Sequence, residues 1–145
     1  MKNCSPHCPV TGVNIINFIL CLIFGFIFIF LCEYALHGHI LLPVYHSIPD
    51  VWRNSADMAE LLWFTLLTEF LIVLFTAYIF TRNYEGKGLA EGARFGIPVG
   101  LLMGTIMMAP YAWLPIPLGL ALAWFCGGLL QGIGLGLIFA LVYKK

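Results

Sequence analysis

Residues 88–109 read GLAEGARFGIPVGLLMGTIMMA, and Gly92, Gly96, Gly100 and Gly104 recur in them every fourth residue. About 22 mostly apolar residues are long enough to cross a bilayer as a helix. Four glycines at that spacing lay a smooth stripe along one side of it. Lipid tails give helices no hydrophobic reason to pair, so close van der Waals contact must hold them together, and small residues permit it. The stretch therefore predicts a membrane helix with a near neighbour.

The neighbour is found at 118–143. There Gly119, Ala123 and Gly127 form one four-residue series, and Gly128, Gly132 and Gly136 form a second. Residues 110–117, PYAWLPIP, leave room only for a tight turn, so the two spans should pack antiparallel. Pro98 interrupts the first of them and should loosen it around Arg94, whose carbonyl the proline ring opposes. A glycine series left over from this pairing is free for the other helices or for another subunit.

Two more spans precede. Residues 13–31, VNIINFILCLIFGFIFIFL, form an uncleaved first helix that is too long for a signal-peptide core and should run on to His37. Residues 57–81 form the second, with Ser55 or Asp57 as its cap. The expected spans are 13–37, 57–81, 88–109 and 118–143, in one all-α, four-helix transmembrane domain. Between the first two lies GHILLPVYHSIPDVWRNSA, residues 38–56. Pro43 and Pro49 disfavour one helix there, and the segment is too apolar for a free loop. It should lie along the interface or fold back on the bundle, with Tyr45 and Trp52 at headgroup depth.

Composition agrees. Of 145 residues, 61% are hydrophobic and 10% charged, far below the roughly 25% charge of soluble domains. Net charge is zero and no basic run suggests nucleic-acid binding. Five cysteines, three within apolar runs, are not a disulfide framework. The polar segment MKNCSPHCPVTG brings Cys4, His7 and Cys8 together, but without a second cysteine pair it reads as an irregular tail. With both termini cytoplasmic, Lys2, Arg82, Lys87, Arg94, Lys144 and Lys145 fall on the inner side and Arg53 alone on the outer, as the positive-inside rule expects.

Three groups can carry chemistry. Glu69 falls close to mid-membrane, where a carboxylate is costly and by default suggests function. Gln131, near the middle of the fourth helix, is its candidate partner, with Thr65 and Thr68 nearby on its own helix. The pair reads as a proton or ion site, or more plainly as a hydrogen bond that fixes packing. The second group is Glu33, His37, His39 and His46 at the outer edge. Carboxylate and imidazole are ordinary metal ligands, and Glu33 and His37 share a helix face. A metal or a haem at that edge is one reading, and bonding to backbone and water the plainer one. The third is Glu91 with Arg94, three residues apart, expected to form a salt bridge anchoring the third helix or, with Arg82 and Lys87, to meet a lipid headgroup. No nucleophile–base–acid set, phosphate loop or flavin fingerprint is visible, which argues against an enzyme. Cys32 beside His37 is the nearest approach to one.

The pieces YALHGHIL, VWR, YEGKGLAEGARFG and PIPLGLALAWFCGGL, spread over residues 33–136, resemble small bacterial four-helix membrane proteins. That resemblance implies the bacterial inner membrane and the fold, and transfers no catalytic residue. The expected role is that of a structural or accessory subunit packed against other membrane helices or copies of itself. The alternatives are a small proton- or ion-coupled transporter or channel component centred on Glu69 and Gln131, and a metal- or haem-binding redox subunit.

Overall fold

The computed structural model describes residues 12–144. Cys4, His7, Cys8, Lys2 and Lys145 lie outside them. Six α-helices are present among the described residues: α1 (Ile15–Ala35), α2 (Leu42–Ser47), α3 (Ser55–Glu60), α4 (Leu62–Arg82), α5 (Leu89–Met108) and α6 (Leu118–Val142). Four helical segments, Ile15–Ile40, Leu62–Arg82, Leu89–Ala112 and Leu118–Val142, are long and apolar enough to span a bilayer. The protein is a multi-pass, all-α membrane bundle. Successive spans run in opposite directions. Asn14, the 83–88 turn and Tyr143 share one end, here the near end. The 41–61 connection and the 109–117 turn share the far end.

The boundaries differ from expectation in two places. The first helix continues beyond His37 because a π turn, Leu36–Ile40, carries it past Gly38. The second span starts at Leu62 and not at residue 57, because the chain breaks at Leu61 and leaves α3 as a separate short helix. Asn54 caps α3, its side chain accepting from the Asp57 N–H at 2.9 Å, in place of the expected Ser55 or Asp57.

The pairing of α5 with α6 follows the glycines. A Cβ on Gly96 would sit 2.6 Å from the Gly132 carbonyl oxygen, and one on Gly100 would sit 2.5 Å from that of Leu129. Gly92 lies on Gly136, and Gly104 on Phe125 and Gly128. At each of these points the nearest obstacle is backbone, which has no rotamer with which to give way. The hub of the bundle is nonetheless α6 and not α5. In its most apolar window 39% of residues are buried, against 17% in each other span. One side of α6 takes α5. Another presents Leu135 and Phe139, which pack with Cys21, Ile29, Val73 and Ala77 of α1 and α4. Gly25 of α1 makes room at that crossing, since a Cβ there would meet Val73 at 2.8 Å. Of the series Gly119, Ala123 and Gly127, Gly127 is used inside the chain, where it receives Leu36; Gly134, which belongs to neither series, receives Phe28. Gly119 is the exception to the packing expectation. It sits in the first turn of α6, ahead of the crossing, and a Cβ there would meet nothing within 4 Å.

The near end is tied by polar contacts. The Asn14 side chain caps α1 by accepting from the Asn17 N–H, and the Asn14 N–H donates to the buried Tyr143 hydroxyl at 3.1 Å. Asn17 donates to the Lys144 carbonyl at 2.5 Å. Glu91 is 4% exposed and does not pair with Arg94. Its carboxylate accepts from the N–H of Glu85 at 2.6 Å and of Lys87 at 2.8 Å, closing the turn ahead of α5. Arg94 reaches Glu85 instead, at 2.9 Å, and Lys87 joins them at 2.5 Å. The turn has brought Glu85 back over the helix, whereas Glu91 points into it.

Glu91→Ala leaves two inward-facing amides without acceptors and should destabilise the protein by about 2–3 kcal/mol, read by thermal unfolding in detergent. Glu91→Gln should recover part of that, because an amide oxygen still accepts. The Glu85 carboxyl is held below its ordinary value of 4.5 by hydrogen bonds from Lys87 and Arg94. Its contribution to stability is therefore fully present above pH 4.5 and is lost as pH falls through the lowered value. A melting temperature followed downward from about pH 6 should show that step in the wild type and lose it in Glu85→Gln. The step should be small, since the group is exposed to solvent.

Candidate functional site

At the far end the 41–61 connection folds back, as its apolar character requires. Leu41, Val44, Ile48 and Val51 pack on Leu120, Ala121 and Trp124 of α6. Pro43 sits in the first turn of α2, where a missing N–H costs nothing, and Pro49 opens a single 3-10 turn. This fold-back sets Tyr45 and Trp52 against Trp124. The Tyr45 and Trp52 rings stand edge to face at 5.1 Å, and those of Trp52 and Trp124 at 6.2 Å.

The same fold-back delivers the Tyr45 hydroxyl to His37. Trp124 Nε1 donates to the Tyr45 oxygen at 2.9 Å, and the hydroxyl meets His37 Nδ1 at 2.5 Å. His37 Nε2 lies 3.2 Å from Glu33 Oε2. Glu33 Oε1 accepts from Gln131 Nε2 at 2.5 Å. Five side chains from α1, its π turn, α2 and α6 thus form one chain, Trp124–Tyr45–His37–Glu33–Gln131. It begins at an open cavity of about 870 Å³, whose wall includes Trp124, Tyr45 and His37. It ends at Gln131, which is 3% exposed, inside the bundle.

Hydrogen-bond bookkeeping constrains the protons. Indole N–H only donates, so one lone pair of Tyr45 is taken by Trp124. Tyr45 can then send its own proton to His37 Nδ1, which leaves Nε2–H to donate to a carboxylate at Glu33. In the opposite arrangement a protonated Glu33 donates to Nε2, Nδ1–H donates to Tyr45, and the phenol proton turns to the cavity. The first satisfies every donor within the chain, the second leaves the phenol proton to the cavity, and they differ by one proton. Burial pushes the Tyr45 phenol above its ordinary value of 10, the bond from Trp124 pulls it down less, and the charge of Glu33 adds to the rise. Tyr45 therefore keeps its proton throughout the physiological range.

Gln131 partners Glu33 and not Glu69. α1 carries Glu33 beside α6, so the carboxyl expected at the edge meets the amide expected at mid-membrane. Glu69 is buried, 7% exposed, and its Oε2 has no hydrogen-bond partner among the described residues. Thr68 turns its hydroxyl to the Thr65 carbonyl on the exposed side of the helix and gives Glu69 nothing.

Of the expected metal set, only Glu33 and His37 come together. His39 stands edge-on to Tyr34, with centroids 4.8 Å apart, and His46 lies on the cavity wall. Among the described residues no group of three or more His, Cys, Asp and Glu is gathered for a metal ion. Both nitrogens of His37 are engaged by Tyr45 and Glu33, so Cys32 is not its partner.

No family model, no curated protein and no solved structure matches the chain. The site must therefore be interpreted from its own chemistry. Trp124 is the member of the site that sequence reasoning misses. A signal for it exists: Trp124 and Gln131 are seven residues apart, two helical turns, and so share a face of α6.

Proposed function

We propose that this protein moves protons across part of the membrane, as a small proton-coupled transporter or a component of one. The observation that carries the reading is the unbroken set of contacts from the cavity through Tyr45 and His37 to Glu33, beside a buried carboxyl, Glu69, with an unsatisfied oxygen. A proton arriving at the Tyr45 oxygen releases the phenol proton to His37 Nδ1. The Nε2 proton then passes to Glu33. One proton enters at the cavity and one arrives at the carboxylate, with Tyr45 and His37 left neutral. Glu69, buried and with an oxygen unpartnered among the described residues, is the proposed next acceptor. Reset requires the imidazole to exchange tautomers. In the orientation suggested by the basic residues, the cavity opens on the non-cytoplasmic side of a bacterial inner membrane.

The accessory-subunit reading drew on glycine faces left for other chains. It has less to stand on once Gly127 accepts Leu36 of the π turn and, of the glycines expected to pack, only Gly119 faces open space. The redox reading has no gathered ligand set among the described residues on which to build.

The test is proton flux into proteoliposomes under an imposed potential, followed with an entrapped pH dye. Wild-type protein should conduct above empty vesicles. Tyr45→Phe, which keeps the ring and removes the hydroxyl, should lower flux by about tenfold or more. Flux equal to that of empty vesicles, with the fold intact by circular dichroism, would sink the proposal and return weight to the accessory role.

A further inference from the structure

We infer that the far-end cavity binds an organic monocarboxylate with an apolar, preferably aromatic body, as the species whose movement is coupled to the proton. This inference rests on the proton-relay reading and supplies its substrate class. Three features of the cavity support it.

The first is charge. Arg53 lies on the cavity wall, and no carboxylate pairs with it among the described residues. None of the described residues that line the cavity is acidic, while His46 and Ser55 add further polar groups to it. Arg53 is exposed at the rim of this largely apolar cavity; a guanidinium there favours an anion, and its planar fork matches a carboxylate. The second is shape and surface. Tyr45, Trp52 and Trp124 form an aromatic wall, and a cavity of about 870 Å³ is within the range of small-molecule sites. Inorganic anions gain nothing from such a wall, whereas a ring or short chain buries apolar area against it. The third is position. Tyr45 and His37 belong both to the cavity wall and to the relay, so a bound anion lies against the point where a proton enters. A negative charge there favours the arrival of a proton, and a proton on the relay favours the anion. That mutual preference is the thermodynamic requirement for coupling.

The experiment uses full-length protein in zwitterionic nanodiscs, 4-phenylbutyrate as probe and its uncharged amide as control. Binding is read by calorimetry and by the fluorescence of the cavity tryptophans. The acid should bind saturably, the amide at least about tenfold more weakly, and Arg53→Gln should weaken the acid by about tenfold while leaving the amide unchanged. In proteoliposomes the acid should increase proton flux in wild type and not in Arg53→Gln. Equal binding of acid and amide, or an unaltered affinity in Arg53→Gln, would overturn the inference. Saturable binding of anionic lipid with no binding of the free acid would also overturn it, in favour of a headgroup site. Relay failure is distinguishable. A Tyr45-dependent flux that ignores the acid removes the substrate and keeps the relay. Arg53-dependent binding without any flux removes the relay and with it the coupling.

Discussion

Gly100→Leu should cost the protein its α5–α6 contact, and with it a large share of its stability. The ideal Cβ at residue 100 already falls 2.5 Å from the Leu129 carbonyl oxygen and 3.0 Å from its Cα. A leucine adds three further carbons in that direction. The obstacle is helix backbone, so relief comes only by moving the helices apart. Separation then undoes the neighbouring contacts of Gly96 on Gly132 and Gly104 on Phe125, because the stripe works as one surface. The loss should reach or exceed the roughly 1–3 kcal/mol typical of overpacking. Reversible unfolding in a mixed-detergent titration, followed by circular dichroism, measures it. Gly119→Ala is the matched control. It faces open space and should change stability by no more than about 1 kcal/mol, in the stabilising direction. A Gly100→Leu protein as stable as wild type would mean that the two helices do not approach this closely in a bilayer.

Glu33→Gln should abolish most proton flux while leaving the fold nearly intact. The substitution keeps shape: the amide oxygen can accept from Gln131, and the amide N–H can donate to His37 Nε2 when the imidazole carries its proton on Nδ1. What disappears is the group at that point able to take a proton from imidazole. A loss of about two orders of magnitude in flux is expected, comparable to removing a positioned acid–base group. Glu33→Ala separates the structural contribution. It strands the buried Gln131 amide and should cost about 1–3 kcal/mol. Glu69→Gln should resemble Glu33→Gln in flux and leave assembly intact. If Glu69→Gln disrupts assembly instead, Glu69 is a packing group and the relay ends at Glu33. If Glu33→Gln conducts normally, the hydrogen-bonded chain is not the path.

The membrane spans were legible because each depends on local sequence: apolar length, charge sparsity and glycine spacing. The α5–α6 pairing was legible for the same reason, since a tight turn joins two stripes. The hub was not, because the role of α6 comes from Leu135 and Phe139 meeting α1 and α4, over separations that no periodicity encodes. Half of the site could be read in advance. Glu33 and His37 share a face by spacing, and Glu69 and Gln131 stand out as polar groups at depth. Their pairing could not, because Glu33 and Gln131 are 98 residues apart and meet through packing of two helices that the sequence does not join. Tyr45 was legible only as an interfacial aromatic, since its hydroxyl finds His37 through the fold-back of α2. The expected Glu91–Arg94 pair failed for a related reason. Spacing along one helix says which side chains can meet, but the turn before α5 offered Glu91 two amides and Arg94 another carboxylate.

The helix on which the other three spans lean is synthesised after all of them. Until α6 enters the membrane, the glycine stripe of α5 has no facing surface, Phe28 of α1 and Leu36 of the π turn have no recess, and Glu33 has no amide to meet. Three spans must therefore wait in lipid in a provisional arrangement, held only by contacts such as those between α1 and α4. A ribosome that stalls before residue 118 leaves a chain in which the stripe of α5 and the α6-facing sides of α1 and α4 are unclaimed. Such a product should be conspicuous to membrane quality control. Completion of the fourth span is thus the point at which the contacts that define this fold can form.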